Sequence, residues 1–374
     1  MWKATASLLL MLLFVLTALA TPHPALDEVQ TLDREKVLDK RFPVTEGGLL
    51  TVSVGDSDVE VVVGSSNEVH VEVWVEGRDM EVAREYFKHQ RFSAEADGNT
   101  VHVRTNPPKI RFDFNMFEWR NHPQILTRIE VPEQFDANLR TSDGDMAVER
   151  MRGDIQIRTS DGDIRVGSLA GPRISLDTSD GDIEADELDA DTITLETSDG
   201  DILLGTVSAD RINLRTSDGD LRARQLTGNV EARTSDGDIR FDMVDATTFS
   251  ARTSDGDLTI DELHASQSTV RSSDGSISLR RVTGSLDVSG SDDIRLDLAD
   301  PTTISVNSSD GDIDITAPAS LSADVYLRGD DVRIARSFSF QGNLQDERAE
   351  GNINGGGPMI EAKSSDGEVR LRAN

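Results

Sequence analysis

From Leu49 onward apolar and polar residues alternate in runs too short for helices. LLTVSV, DVEVVV and EVHVEVWV are separated by GDSD and GSSNE, and their period of two predicts three half-buried strands. Asp79 then stands where an N-cap belongs, ahead of Met80, Ala83 and Phe87, which share one face of a short helix. Alternation resumes at NTVHVRTN. Beyond Thr127 a second, longer period is added. In SDGDIRVGSLAGPRISLDT, from Ser160 to Thr178, Ile164 and Val166 point one way, Leu169 marks an inward corner, and Ile174 and Leu176 point inward again. Two short strands per coil are expected. The next coils match, with Ile183, Leu188, Ile193 and Leu195, then Ile202, Leu204, Val207, Ile212 and Leu214.

The beat of this longer period is TSDGD. Its serine recurs at Ser142, Ser160, Ser179, Ser198, Ser217, Ser235, Ser254 and Ser273, at steps of 18, 19, 19, 19, 18, 19 and 19. Degenerate copies follow at Ser291, Ser309 and Ser365, roughly eleven beats in all. A fixed period near nineteen predicts an all-β fold, a single-stranded β-solenoid of 18–19-residue coils, because one such coil cannot bury its apolar face without neighbours above and below. Residues 136–374 are assigned to this solenoid and 43–135 to a β-rich N-terminal cap with the one helix. Residues 21–42, polar and proline-containing, are assigned to a linker.

Each TSDGD must turn a corner in a register shared with every other coil. Asp-Gly suits that task, glycine through positive φ and the aspartate through an Asx-turn to the amides ahead of it. Stacking would build acidic rows, Asp161, Asp180 and Asp199 beside Asp163, Asp182 and Asp201. Unit charges about 4.8 Å apart repel by roughly 0.9 kcal/mol even in bulk water. Arginines before the threonine (Arg140, Arg158, Arg215, Arg233, Arg252) and Arg271 before Ser272 are candidates to offset this, with Asp177 and Glu196 as exceptions. A cation ladder on the six aspartates is the lesser reading, since calcium loops alternate their ligands and close with a further acid, whereas here an inward aliphatic follows at once. A structural turn with no cofactor is preferred.

Composition narrows function. A formal charge of −31 argues against nucleic acid and anionic lipid. The six histidines are scattered without metal-ligand spacing, and none recurs beside the serines to activate them. There is no cysteine, hence no disulfide. Lys3, the apolar run Leu8 to Leu16 and Ala18-Leu19-Ala20 read as a signal peptide over residues 1–20, too short an apolar stretch to span a bilayer comfortably. An exported protein without a transmembrane anchor, periplasmic, surface-bound or secreted, is expected. Residues 107–124 form an aromatic-rich insertion with Phe112, Phe114, Phe117 and Trp119, read first as a cover for the open end of the stack and second as a platform for a glycan or protein partner.

PVTEGGLLTVSVGDSDVEVVVGSSNEVHVEVWVEG, the lead-in TRIEVPEQFDANLRTSDGDM, the TSDGDI coils and the closing GGGPMIEAKSSDGEVRLR together resemble the bacterial "putative adhesin" β-solenoids, the toastrack domains, related in style to head-GIN domains, over residues 43 to 374. The resemblance implies an extracytoplasmic binding or assembly scaffold without catalytic residues, acting on a protein or glycan of the envelope or on copies of itself. The alternative is a polysaccharide-active β-helix enzyme using paired carboxylates.

Overall fold

The structure, a computed structural model, describes residues 32–65, 67–107 and 123–374. The expected signal peptide and the aromatics Phe112, Phe114, Phe117 and Trp119 lie outside the described residues.

Beginning at the N-terminal end, the strands are β1 (Asp33–Pro43), β2 (Gly48–Ser53), β3 (Ser57–Val63) and β4 (Glu68–Gly77), followed by helix α1 (Met80–Gln90), β5 (Ser93–Asp97), β6 (Thr100–Arg104) and β7 (Gln124–Val131). Asp79 caps α1 by accepting the amides of Glu81 and Val82, and Ala83 is the buried centre of its inner face. Next come β8 (Phe135–Arg140), β9 (Met146–Arg152) and β10 (Ile155–Arg158), then eight strands of 13 to 15 residues: β11 (Ile164–Asp177), β12 (Ile183–Glu196), β13 (Ile202–Arg215), β14 (Leu221–Arg233), β15 (Ile239–Thr253), β16 (Leu258–Ser272), β17 (Ile277–Gly290) and β18 (Ile294–Ser308). The two segments expected in each coil are the arms of one such strand, whose pairing skips Asp186 and Asp191 where it bends.

Coil stacks on coil in parallel register, Ile183 on Ile202 on Leu221, and Ile193 on Ile212 on Val230. This makes a β-solenoid of about nine turns of about 19 residues; the remaining beats belong to coils assembled from separate stretches of chain. The core is a thin column of mainly aliphatic rows, with Phe135 and Phe338 toward its ends and, in its middle, Phe241 and Phe249, whose rings meet edge to face at 6.3 Å. Small residues next to each ring make room: Ala223 pairs with Phe241, and Ser268 with Phe249.

Both ends of the stack depart from simple repetition. At the N-terminal end β2 and β3 pair in parallel with β8 and β9, so the solenoid pairing already begins at Gly48. β6 and β7 lie beneath them, and antiparallel β4, β5 and β1 finish that edge. Strand β1 corrects the linker expected over 21–42, of which residues 33–42 are paired. Its polar letters are cross-strand partners, Lys36 to Glu72 at 2.8 Å and Arg41 to Glu68 at 2.6 Å, with Arg34 stacked on Trp74.

At the other end the chain continues as β19 (Ile313–Ala317), β20 (Ala323–Arg328), β21 (Val332–Ile334), β22 (Phe340–Gln345), β23 (Arg348–Ile353), β24 (Met359–Ser364) and β25 (Val369–Ala373). The last two strands thread backwards into the stack. β24 lies between β18 and β20, and β25 between β19 and β21, while the β22–β23 hairpin pairs antiparallel on β20. Among the described residues no helix is long and apolar enough to cross a membrane.

Candidate functional site

The TSDGD turns stack in one file along an edge of the solenoid, and most of their polar atoms bond the coil below. Each threonine is buried, and its hydroxyl donates to two carbonyls of the preceding turn: Thr178 to Ser160 at 3.2 Å and Gly162 at 3.0 Å, Thr197 to Ser179 at 3.2 Å and Gly181 at 3.0 Å. The carboxylate after the glycine accepts the backbone amide of its counterpart in the next coil. Asp145 takes Asp163, Asp163 takes Asp182, Asp182 takes Asp201 and Asp201 takes Asp220, all between 2.8 and 2.9 Å. The file starts earlier than the repeats suggest. Asp58, in the GDSD turn, accepts the amide of Asp145 at 3.0 Å, and at the far end Asp312 accepts that of Glu368 at 2.9 Å across 56 residues. GDSD carried this role in its spacing to the next strand, but without a TSDGD spelling it reads only as a turn.

Two expectations about this turn are corrected. The ladder glycines do not adopt positive φ. They are needed because a Cβ on Gly181 would stand 2.0 Å from the carbonyl oxygen of Gly162, and likewise along the file. The working aspartate is the one after the glycine, bonding the next coil, not the one before it making an Asx-turn. The first aspartates, among them Asp161, Asp180 and Asp199, are exposed.

The arginines before the threonine do not neutralise these rows either. Arg158 reaches Asp177 at 3.3 Å, Arg215 reaches Glu196 at 3.8 Å and Arg271 reaches Asp287 at 3.6 Å. The inner acids are instead met by arginines two residues further on, Arg165 on Asp163 at 2.6 Å, Arg295 on Asp293 at 2.7 Å, and Arg222 on both Asp220 and Asp201.

At the head of the outer row Asp143 faces Asp56, and burial together with that neighbour raises its pKa above the usual carboxylate range. Tyr86 of α1 donates to Asp56 at 2.7 Å, and burial and that carboxylate raise the phenol.

Among the described residues one trio has ligand atoms within 4.8 Å of one another, Asp39, His70 and Glu72, and the SDGD aspartates do not gather into one. Spacing in the sequence could not reveal it, because β1 and β4 bring its members together. Lys36 already holds that cluster, with its ammonium 2.6 Å from Asp39 and 2.8 Å from Glu72.

His264 lies 3.4 Å from the Thr283 hydroxyl and 3.6 Å from Glu262, a loose likeness of a nucleophile, base and orienting acid. Glu262 is paired with Arg281, and the group lies on an open strand face, so it lacks the enclosure and aligned bonds of a working triad. The hollows of the surface are shallow and run along strand faces, as in the one bounded by Glu184, Asp186, Arg222 and Asp242.

A stacked β-solenoid whose repeated polar residues bond coil to coil defines a repeat scaffold. The chain belongs to the Toastrack DUF4097 family, whose model matches residues 49–251 and again 225–372. Solved structures to which it is similar include a "putative adhesin" from Parabacteroides distasonis, at 10% identity over 89% of this chain and 96% of that one with a TM-score of 0.30. A "putative lipid binding protein" from the same species matches at 12% identity over 90% and 96% with a TM-score of 0.27. A "putative adhesin" from Parabacteroides merdae matches at 10% over 89% and 95% with a TM-score of 0.25. No curated protein matches the chain. Membership therefore rests on the family model and on the repeat itself.

Proposed function

We propose that this protein is an exported, non-enzymatic β-solenoid serving adhesion or assembly at the cell envelope, with a protein or glycan of that envelope, or further copies of itself, as partner. The observation that supports this most is the division of labour within TSDGD. Threonine, glycine and the second aspartate are taken up by the coil below, while serine and the first aspartate stand exposed in single file on a rigid sheet. A straight comb of identical groups suits recognition of a repetitive surface and offers no nucleophile with its base. Its charge disfavours nucleic acid and anionic membrane as partners. Export rests on the apolar run Leu8 to Leu16 and the Ala18-Leu19-Ala20 pattern.

The test is a glycan array and an envelope pull-down on the exported protein, run beside an assay for reducing and unsaturated ends. Binding without turnover is expected. Release of such ends from an acidic polysaccharide would establish the enzyme instead.

A further inference from the structure

The threonine row of the file is broken at one place. The residue that is Thr or Ser from Thr141 to Ser272, and again at Ser308 and Ser364, is Gly290. Ser272 bonds Gly256 at 3.1 Å and Ser308 bonds Ser291 at 2.9 Å, but Gly290 brings no hydroxyl. The amides of Ser291 and Asp292 make no bond to the Ser273 carbonyl, although their counterparts at every rung from Ser160 to Ser273 bond the serine carbonyl below. Packing does not demand this glycine. A Cβ on Gly290 would approach Ser272 O to 3.3 Å and Ile277 Cδ1 to 3.4 Å, against 2.0 Å at the ladder glycines. The missing side chain is an opening.

Beside the opening runs a column of four arginines in direct register, Arg215, Arg233, Arg252 and Arg271, ending on Ser289. Three have carboxylate partners, Glu196, Glu231 and Asp287. Among the described residues Arg252 has none, because Ser250 stands in register where Arg233 has Glu231. Arg252 and Arg271 border a hollow rimmed by the hydroxyls of Ser254, Ser273 and Ser289 and closed by Gly290, with no carboxylate in its lining. Three other hollows of the described surface contain acids, as expected on a chain of charge −31.

We infer that this hollow binds the oxyanion group of an acidic saccharide, a uronate carboxylate or a sugar sulfate. Arg252 and Arg271 are in register on adjacent strands, whose backbones lie about 4.8 Å apart, a spacing from which two long side chains can converge on one planar or tetrahedral oxyanion. A rim of hydroxyls without an aromatic or large aliphatic residue suits a hydroxylated ligand. The surrounding acidic surface opposes an anionic bilayer and leaves room for a single charged group presented at the end or along the edge of a sugar chain. The hollow borrows Ser254 and Ser273 from the comb, but its charge comes from Arg252 and Arg271, which lie outside it, so loss of binding in the arginine variants is distinguishable from failure of the comb.

Titration calorimetry on the exported chain with glucuronate, a sulfated disaccharide, glucose, inorganic sulfate and phosphatidylglycerol vesicles tests the assignment. The acidic saccharides should bind, glucose and vesicles should not, and inorganic sulfate should bind more weakly. Arg252→Gln with Arg271→Gln should weaken saccharide binding by about tenfold or more. Gly290→Ser, which keeps both guanidiniums and fills the opening, should also weaken it, while Arg215→Gln should not; thermal melts of each variant confirm that it is folded. Equal affinity in the double variant, equal binding of glucose, sulfate binding as tight as saccharide, or preference for the vesicles would each overturn the assignment.

Discussion

The carboxylate of Asp163 accepts the backbone amide of Asp182 at 2.9 Å, and the carboxylate of Asp182 passes the same bond to Asp201 at 2.8 Å. Each coil is thus fastened to the next by a side chain as well as by its strands. Asp182→Ala should cost about 1–3 kcal/mol, because the Asp201 amide is left unsatisfied, and Asp182→Asn should cost less because an acceptor oxygen remains. Asp180→Ala, two residues away on the exposed row, should stay within about 0.5 kcal/mol. Denaturant melts of the three variants check this ordering, and equal losses at 180 and 182 would show that the inner row has no special part in stability.

Glycine gives a sharper contrast. A methyl on Gly181 would meet the Gly162 carbonyl oxygen at 2.0 Å and its carbon at 2.5 Å, whereas one on Gly55 has no atom within 4 Å. Since another coil lies on each side, the backbone at 181 cannot shift alone. Gly181→Ala should destabilise by about 3 kcal/mol or more and Gly55→Ala hardly at all. Similar melting temperatures for the two would contradict the stacking geometry.

These contrasts mark what the sequence could and could not reveal. Apolar periodicity placed Ile183 and Ile202 at matching inward positions of successive coils, and an N-cap residue placed the start of α1 at Asp79, because a period of two and an N-cap are local signals. Which aspartate of SDGD bonds the next coil was not legible, since both fit the same letters and the difference lies across 19 residues. Strand β1 was hidden because its own side chains are mostly charged, reaching Glu68 and Glu72 across the strands, so DREKVLDKRF reads as solvent-facing chain. The backward threading of β24 and β25 has no local mark at all, for SSDGEV looks like a final coil whether it is added last or inserted between others.

The N-terminal edge should loosen in strong acid. The Lys36 ammonium, and next His70, lower the Asp39 pKa to about 2, below the roughly 3.9 of an unfolded aspartate. A lowered carboxylate adds stability above its unfolded pKa and loses it as pH falls through the folded value, so β1 should weaken between about pH 4 and pH 2. The pair is exposed and screened, so the effect should be local rather than global. Amide exchange of β1 against β13 over this range measures it. Asp39→Asn should reduce the difference in pH response between the two strands, leaving the part due to Glu35, which Arg84 also holds low, and an unchanged response would assign it to another group.

A buried flaw in the core offers a stabilising change. The Ser268 hydroxyl is buried without a partner, directly in register between Phe249 and Leu286. Ser268→Ala removes that unsatisfied group while keeping the space Phe249 needs, and should raise stability by about 1 kcal/mol. Ser268→Leu should lower it by crowding the Phe249 ring. A loss in the alanine variant would mean that the hydroxyl is satisfied in solution.

The outer row decides between turn and metal site. If Asp161, Asp180 and Asp199 merely tolerate one another's charge, sodium chloride should stabilise the rod, as the Debye length falls from about 10 Å at 0.1 M to about 3 Å at 1 M. Calcium should then add little at matched ionic strength, and Asp180→Asn, which removes a charge from an exposed position, should hold or raise the melting temperature. Specific sites would behave in the opposite way. Millimolar calcium would lift the melting temperature well beyond matched sodium, because a ligand held only by the folded state stabilises it by mass action, and Asp180→Asn would lose that increment. Our expectation is the first pattern. The inner carboxylates already hold one backbone amide each through an oxygen, with several also paired to arginine, so a cation at this edge would draw mainly on a single file of outer carboxylates. A calcium response that disappears in Asp180→Asn would overturn this and make the turn a binding site.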